Sequence, residues 1–126
     1  MRFPMPNHPC DFELPDEWLT EAGLVGFKPS RPAYNSTAAA VLVPLQEIEP
    51  VYRTLTCPKD WRGFDRTRLV RVLQGFVAGD EIEPVPLLEL EKVENHRPYR
   101  YRICNGYHRF YGSIAAGFQS LPGAIQ

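Results

Sequence analysis

The chain has 126 residues, enough for one domain that buries a core without disulfide or metal staples. Thirteen prolines, about twice the usual share, exclude an all-helical bundle, because an interior proline removes a backbone donor and clashes with the preceding turn. A hydrophobic share of 44% excludes a disordered chain, and a formal net charge of −1 excludes binding driven by bulk charge.

The prolines must therefore punctuate a folded domain of short elements. Residues 1–40 read as an N-terminal extension, cut into pieces by prolines at 4, 6, 9, 15, 29 and 32. One short helix is predicted there, over Pro15–Ala22. Asp16 and Glu17 suit a positive helix start, and Gly23 suits its end. Trp18, Leu19 and Phe27 are the residues expected to pack this extension onto the core. Ser36–Ala40 reads as a linker.

Residues 41–126 read as the main domain. Val41–Leu45 is a predicted strand, kept to an edge or an end by Pro44. Glu47–Pro50 reads as a turn. Phe64–Val77 is the best predicted helix, with Leu69, Val72, Leu73 and Phe76 on one face, Asp65 as cap and Gly79 as stop. Its other face carries Arg68 and Arg71. Val85–Val93 reads as a strand, Asn95–Pro98 as a turn, and Tyr99–Cys104 as the returning strand of an antiparallel hairpin. Tyr99, Tyr101 and Ile103 alternate there with Arg100, Arg102 and Cys104. A second helix is predicted after Gly106, with Tyr111, Ile114, Ala115 and Phe118 inward. Leu121–Ile125 reads as a last strand. The fold class is α+β, a small mixed sheet packed with two or three helices.

No stretch approaches the roughly 20 apolar residues of a membrane helix, and the start of the chain is too proline-broken for a signal peptide. The expectation is a cytoplasmic protein with no membrane partner. Cys10, Cys57 and Cys104 lack any Cys-x-x-Cys spacing, so neither a disulfide framework nor a metal site is expected.

Charge is unevenly placed. No acid follows Asn95, whereas Arg97, Arg100, Arg102 and Arg109 do, and five basic residues fall between Lys59 and Arg71. Two basic segments build an anion site where they meet in space. The junction Cys104-Asn105-Gly106-Tyr107-His108-Arg109 marks the place. A strand that turns through glycine into a helix presents backbone N–H groups and the positive end of the helix dipole. Arg109 suits bidentate binding of phosphate, and His108 suits donation of a hydrogen bond or transfer of a proton. Two basic residues oppose the dipole at a helix start unless an anion sits among them.

The run Asn105-Gly106-Tyr107-His108-Arg109-Phe110, then Ala115-Ala116-Gly117-Phe118 and Leu121-Pro122-Gly123-Ala124-Ile125, resembles the ParB/sulfiredoxin superfamily. Val43–Ile48 with Arg53, Phe64-Asp65 with Arg68 and Leu69, and Pro84–Leu87 are similar to its upstream elements. The likeness covers about residues 41–126 and implies a ParB/sulfiredoxin-like domain. It further implies that Asn105, Gly106, Tyr107, His108 and Arg109, with Arg68 of the preceding helix, bind the phosphates of a nucleotide or a phosphorylated small molecule. A phosphotransferase form implies Glu47 as base, Glu49 as the next candidate, His108 as a proton carrier and a nucleotide bound with Mg²⁺. Tyr107 stands where sulfiredoxin has its reactive cysteine, so sulfinic-acid reduction is not expected. The Gly-Glu-Arg-Arg motif and the downstream DNA-binding domain of partition proteins are absent from this sequence.

Two other functions compete. One is a nucleic-acid-associated, nuclease-like domain, in which Arg100 and Arg102 beside Tyr99 and Tyr101 contact the strand. The other is a non-catalytic module that binds a protein partner through a decayed site. Each motif also has an ordinary reading. Arg68 and Arg71 suit a solvated helix face, Arg100 and Arg102 the outer face of a strand, Tyr107 a gap in the core. Cys104 suits a buried apolar position, and Trp18 and Trp61 suit packing anchors.

Overall fold

In a computed structural model the described residues are 1–7, 11–50, 64–90 and 99–126. The turn expected at 95–98 and the end of the strand expected to reach Val93 lie outside them. So do Cys10, Arg53, Cys57, Trp61 and Arg97. The elements run β1 (Arg2–Pro4), β2 (Asp11–Glu13), α1 (Asp16–Ala22), β3 (Val41–Pro44), a 3-10 turn (Leu45–Glu47), β4 (Ile48–Glu49), α2 (Arg66–Ala78), β5 (Val85–Glu89), β6 (Tyr101–Ile103), α3 (Tyr107–Ala116) and β7 (Ser120–Ile125). The result is a small mixed α+β fold. No described helix is long and apolar enough to cross a membrane.

α2 forms where its period and its caps predict it. The Asp65 side chain accepts from the Arg68 backbone N–H at 2.9 Å, and Gly79 ends the helix at φ 75°. Leu69, Leu73 and Phe76 are buried as expected. Val72 is only half-buried, and Val70 takes an inward place instead. The difference follows from α1, which packs beside α2 and gives it a second covered side.

The inward face of α3 departs further from expectation. Tyr107, His108, Phe110, Tyr111, Gly112, Ser113 and Ala116 are buried, whereas Ile114 and Ala115 are half-buried. Phe118 is buried beyond the helix end. The cause is close packing against α2. A Cβ on Gly112 would stand 3.4 Å from both Phe76 and Val72, so the helices approach through the smallest side chain.

The sheet has the order β3-β7-β5-β6-β4. β3 pairs antiparallel with β7, β7 parallel with β5, β5 antiparallel with β6, and β6 parallel with β4. The antiparallel pairing expected of β5 and β6 is present. Glu47–Pro50 is not a simple turn, because Ile48 and Glu49 pair with Tyr101 and Arg102. β3 and β4 are thus opposite edges joined by three residues. The edges of a flat five-strand sheet lie roughly 19 Å apart. Chain from Pro44 to Ile48 reaches at most about 14 Å. The sheet is therefore curled, so that its edges approach each other.

Val43, Ile48, Val85, Leu87, Ile103 and Leu121 fill the inside of the curl against Leu73, Phe110 and Tyr111. Residues 1–40 share this core. Phe12 and Leu14 are fully buried, and Phe12 meets Tyr111 edge-on at 5.0 Å. Trp18 and Leu19 are buried, as expected of anchors, and β1 and β2 form a separate antiparallel ladder.

Candidate phosphate site at the start of α3

The chain leaves β6 at Ile103 and turns through Cys104, Asn105 and Gly106 into α3. Cys104 is exposed, contrary to its expected burial. Strand alternation explains this, since buried Ile103 directly precedes it. Gly106 has φ 97°, a left-handed value that glycine adopts without strain. It has no side chain with which to cap the helix, and its N–H donates to Asn105 Oδ1 at 2.8 Å. The first turn of α3 therefore presents its positive end beside this glycine.

α2 runs alongside. Thr67, Arg68, Arg71 and Val72 from α2 line one cavity of about 290 Å³ with Asn105, Gly106, Tyr107, His108 and Arg109. The two basic segments do meet. Six of the seven site residues named from sequence line this space: Arg68, Asn105, Gly106, Tyr107, His108 and Arg109. Arg71 joins them, a residue that sequence placed on the same helix face without assigning it a ligand role. Neither Arg68 nor Arg71 has an ion-pair partner among the described residues. Arg66, Arg100 and Arg102 pair with Glu21, Glu47 and Glu49 respectively.

Glu47 stands elsewhere. It lies in the 3-10 turn, its carbonyl accepts from the Arg100 N–H at 2.8 Å, and its carboxylate faces the Arg100 guanidinium at 3.6 Å. Arg100 precedes β6, whereas the glycine turn follows it. From Arg100 to Ile103, where the turn begins, is roughly 10 Å of extended chain. Neither Glu47 nor Glu49 lines the cavity. The Glu49 carboxylate sits 3.3 Å from Arg102.

His108 is 8% exposed, and its Nε2 accepts the Asp65 backbone N–H at 2.9 Å. An accepting Nε2 carries no proton, so the neutral ring has its hydrogen on Nδ1. His108 thereby ties the first turn of α3 to the cap of α2 and brings two positive helix ends to one corner. The Asp65 carboxyl is held below its ordinary range, chiefly by the Arg68 amide. Desolvation opposes this, and the positive charge of Arg68 adds to it. Tyr107 is buried against Phe64 and Tyr111, with ring centroids 5.1 and 4.7 Å away, and so fills a gap in the core.

Arg109 is half-buried. Its Nη1 donates to the carbonyls of Glu83 at 2.9 Å and Pro84 at 2.8 Å. The rest of its guanidinium lies over Gly106, where a Cβ would come within 2.9 Å of Nη2. Glycine is required at 106 for its φ, and the absent Cβ leaves room for the guanidinium to lie over the turn. Arg109 thus braces the turn with one nitrogen while its remaining donors stay beside the cavity.

No cluster of three or more His, Cys, Asp or Glu able to hold a metal occurs among the described residues. Two of the other hollows among the described residues carry less chemistry. One of about 590 Å³ is lined by Pro15, Glu17, Trp18, Phe64 and Arg66, with Arg66 already paired to Glu21. The other, about 180 Å³, is lined by Phe27, Tyr34 and Phe118 with Lys28, Arg31 and Asp80, and Arg31 is already bonded to Asn35. No protein-family model, no curated protein and no solved structure matches this chain.

Proposed function

We propose that the protein binds the phosphates of a nucleotide or of a phosphorylated small molecule in the cavity between α2 and the 105–109 turn. The observation that carries this reading is the convergence of Arg68 and Arg71, which have no ion-pair partner among the described residues, on the glycine-opened start of α3. Guanidinium groups and helix-start amides favour an oxyanion together. The sequence likeness to the ParB/sulfiredoxin superfamily supports the same reading. Arg68 and Arg71 are the principal ligands, and Arg109 holds the turn in shape.

The reading is one of binding first. A phosphotransferase needs a base at the phosphate, and Glu47 lies at the other end of β6. No Asp or Glu is among the described residues that line the cavity, so Mg²⁺ would enter with the nucleotide. The nuclease-like alternative loses support because Arg100 and Arg102 are both ion-paired. A non-catalytic module gains some from the commitment of His108 Nε2 and Arg109 Nη1 to backbone partners.

Calorimetric titration with ATP, ADP and CTP, each with Mg²⁺, tests the proposal. Binding to the wild type that is weakened by Arg68→Ala and Arg71→Ala supports it. Absence of binding at millimolar nucleotide, or equal binding by both variants, overturns it. A parallel assay for phosphate release reads out turnover.

A further inference from the structure

We infer that Tyr34, in the segment before β3, is a positioning residue for this site, acting through Arg109. The functional part of the inference rests on the phosphate reading above.

Tyr34 is buried, and its ring stacks on Phe76 of α2 at 4.8 Å and 18°. Its hydroxyl donates to the Glu83 carbonyl at 2.7 Å. Arg109 Nη1 donates to that same oxygen. A carbonyl oxygen has two lone pairs, so Tyr34 and Arg109 together fill its capacity. The positive charge of Arg109 also acts on the Tyr34 hydroxyl. Burial pushes the Tyr34 phenol above its ordinary range, with Arg109 partly offsetting this, so the hydroxyl stays a donor at neutral pH.

The carbonyls that hold Arg109 are themselves placed by this segment. Ile82 N–H donates to Asn35 C=O at 2.9 Å, Thr37 N–H donates to Ile82 C=O at 3.1 Å, and Asn35 Nδ2 donates to Gly79 C=O at 2.9 Å. Residues 34–37 thus run beside 79–83 and fix the entry to β5. A continuous path leads from Phe76 through Tyr34, the Glu83 carbonyl and Arg109 to Gly106. Without the hydroxyl, the Glu83 carbonyl loses one of two donors, and the guanidinium loses a neighbour that limits its rotation. The turn at 105–109 then samples more positions, and a bound anion must order it.

Tyr34→Phe tests this, because it keeps the stacked ring and removes one oxygen. ADP with Mg²⁺ is the binding probe. The Arg109 Nε–H and Gly106 amide resonances of the ligand-free protein are a readout independent of any ligand. The expected result is a shift of both resonances, and an ADP affinity lowered about fivefold. In an Arg109→Ala background, Tyr34→Phe should have no further effect on affinity or on the Gly106 amide. A merely structural role would instead lower the melting temperature equally in both backgrounds. Unchanged resonances in Tyr34→Phe, or an undiminished affinity effect in the Arg109→Ala background, overturns the inference. If the wild type binds no ADP, the phosphate reading falls, and the two resonances still decide whether Tyr34 controls Arg109.

Discussion

Two arginine pairs lie close together in sequence pattern and far apart in electrostatic condition. Arg68 and Arg71 sit one turn apart on α2, and Arg100 and Arg102 sit two positions apart at β6. All four are exposed. The strand pair faces Glu47 and Glu49, supplied by the neighbouring parallel segment, at 3.6 and 3.3 Å. The helix pair faces a helix start and a third arginine. Exposed ion pairs contribute only about 0–1 kcal/mol, so the acids do little for stability. They do cancel charge. What separates an anion site from a solvated basic stripe is therefore which acids the topology places opposite, and a count of basic residues does not reveal it.

The sharpest way to break this comparison is to remove each pair and measure nucleotide binding. Hydrogen bonds to charged groups are each worth about 1.5–3 kcal/mol. Arg68→Ala with Arg71→Ala should therefore lower ADP affinity about 100-fold or more by calorimetry. Arg100→Ala with Arg102→Ala should change it less than about twofold, since neither lines the cavity. Equal losses in the two double variants would dissolve the distinction.

Next in size are the residues that shape the helix-pair side. Gly106→Ala should destabilise the fold by about 1–3 kcal/mol in urea unfolding, because its φ is left-handed and its Cβ would push on Arg109. His108→Ala leaves the Asp65 N–H without its acceptor and should cost a similar amount, about 1–3 kcal/mol.

Asp65 gives a pH signature for the same corner. Its carboxyl has a lowered pKa in the folded state. The group binds a proton less readily when folded, so its stabilising effect is full above the ordinary value of 3.8 and is lost as pH falls through the lower folded value. Asp65→Asn should flatten that acid limb of a stability–pH curve and leave the neutral region nearly level. The smallest effect belongs to the strand pair. Glu49→Gln should move stability by no more than about 0.5 kcal/mol.

The same contrast explains what could be read from the chain. α2 was legible because its apolar period, its Asp65 cap and its Gly79 stop all agree. The 105–109 turn was legible because a glycine between an alternating strand and a helical period has few other uses. The inward face of α3 was not, because Gly112 and Ser113 are buried for their small size and His108 for one acceptor nitrogen. Hydrophobicity reports neither. Glu47 could be read as a strand-end acid, but not at which end of β6 it would stand. That depends on β4 pairing with β6 across the curl, through two residues too few to show a period. Tyr34 carried no motif, since its hydroxyl bonds a backbone carbonyl nearly fifty positions away.

The stretch from Val41 to Glu49 supplies both borders of the sheet. Leu45 N–H donates to Gln119 C=O on one side, and Glu47 C=O accepts from Arg100 N–H on the other. One nine-residue ribbon thus behaves as a seam. A register slip of β3 along β7 would be felt by β4 on β6, because only the three-residue turn Leu45–Glu47 links them. Opening either border exposes β7 and β6 together, so amide hydrogens on both strands should exchange in one step, as a single cooperative unit.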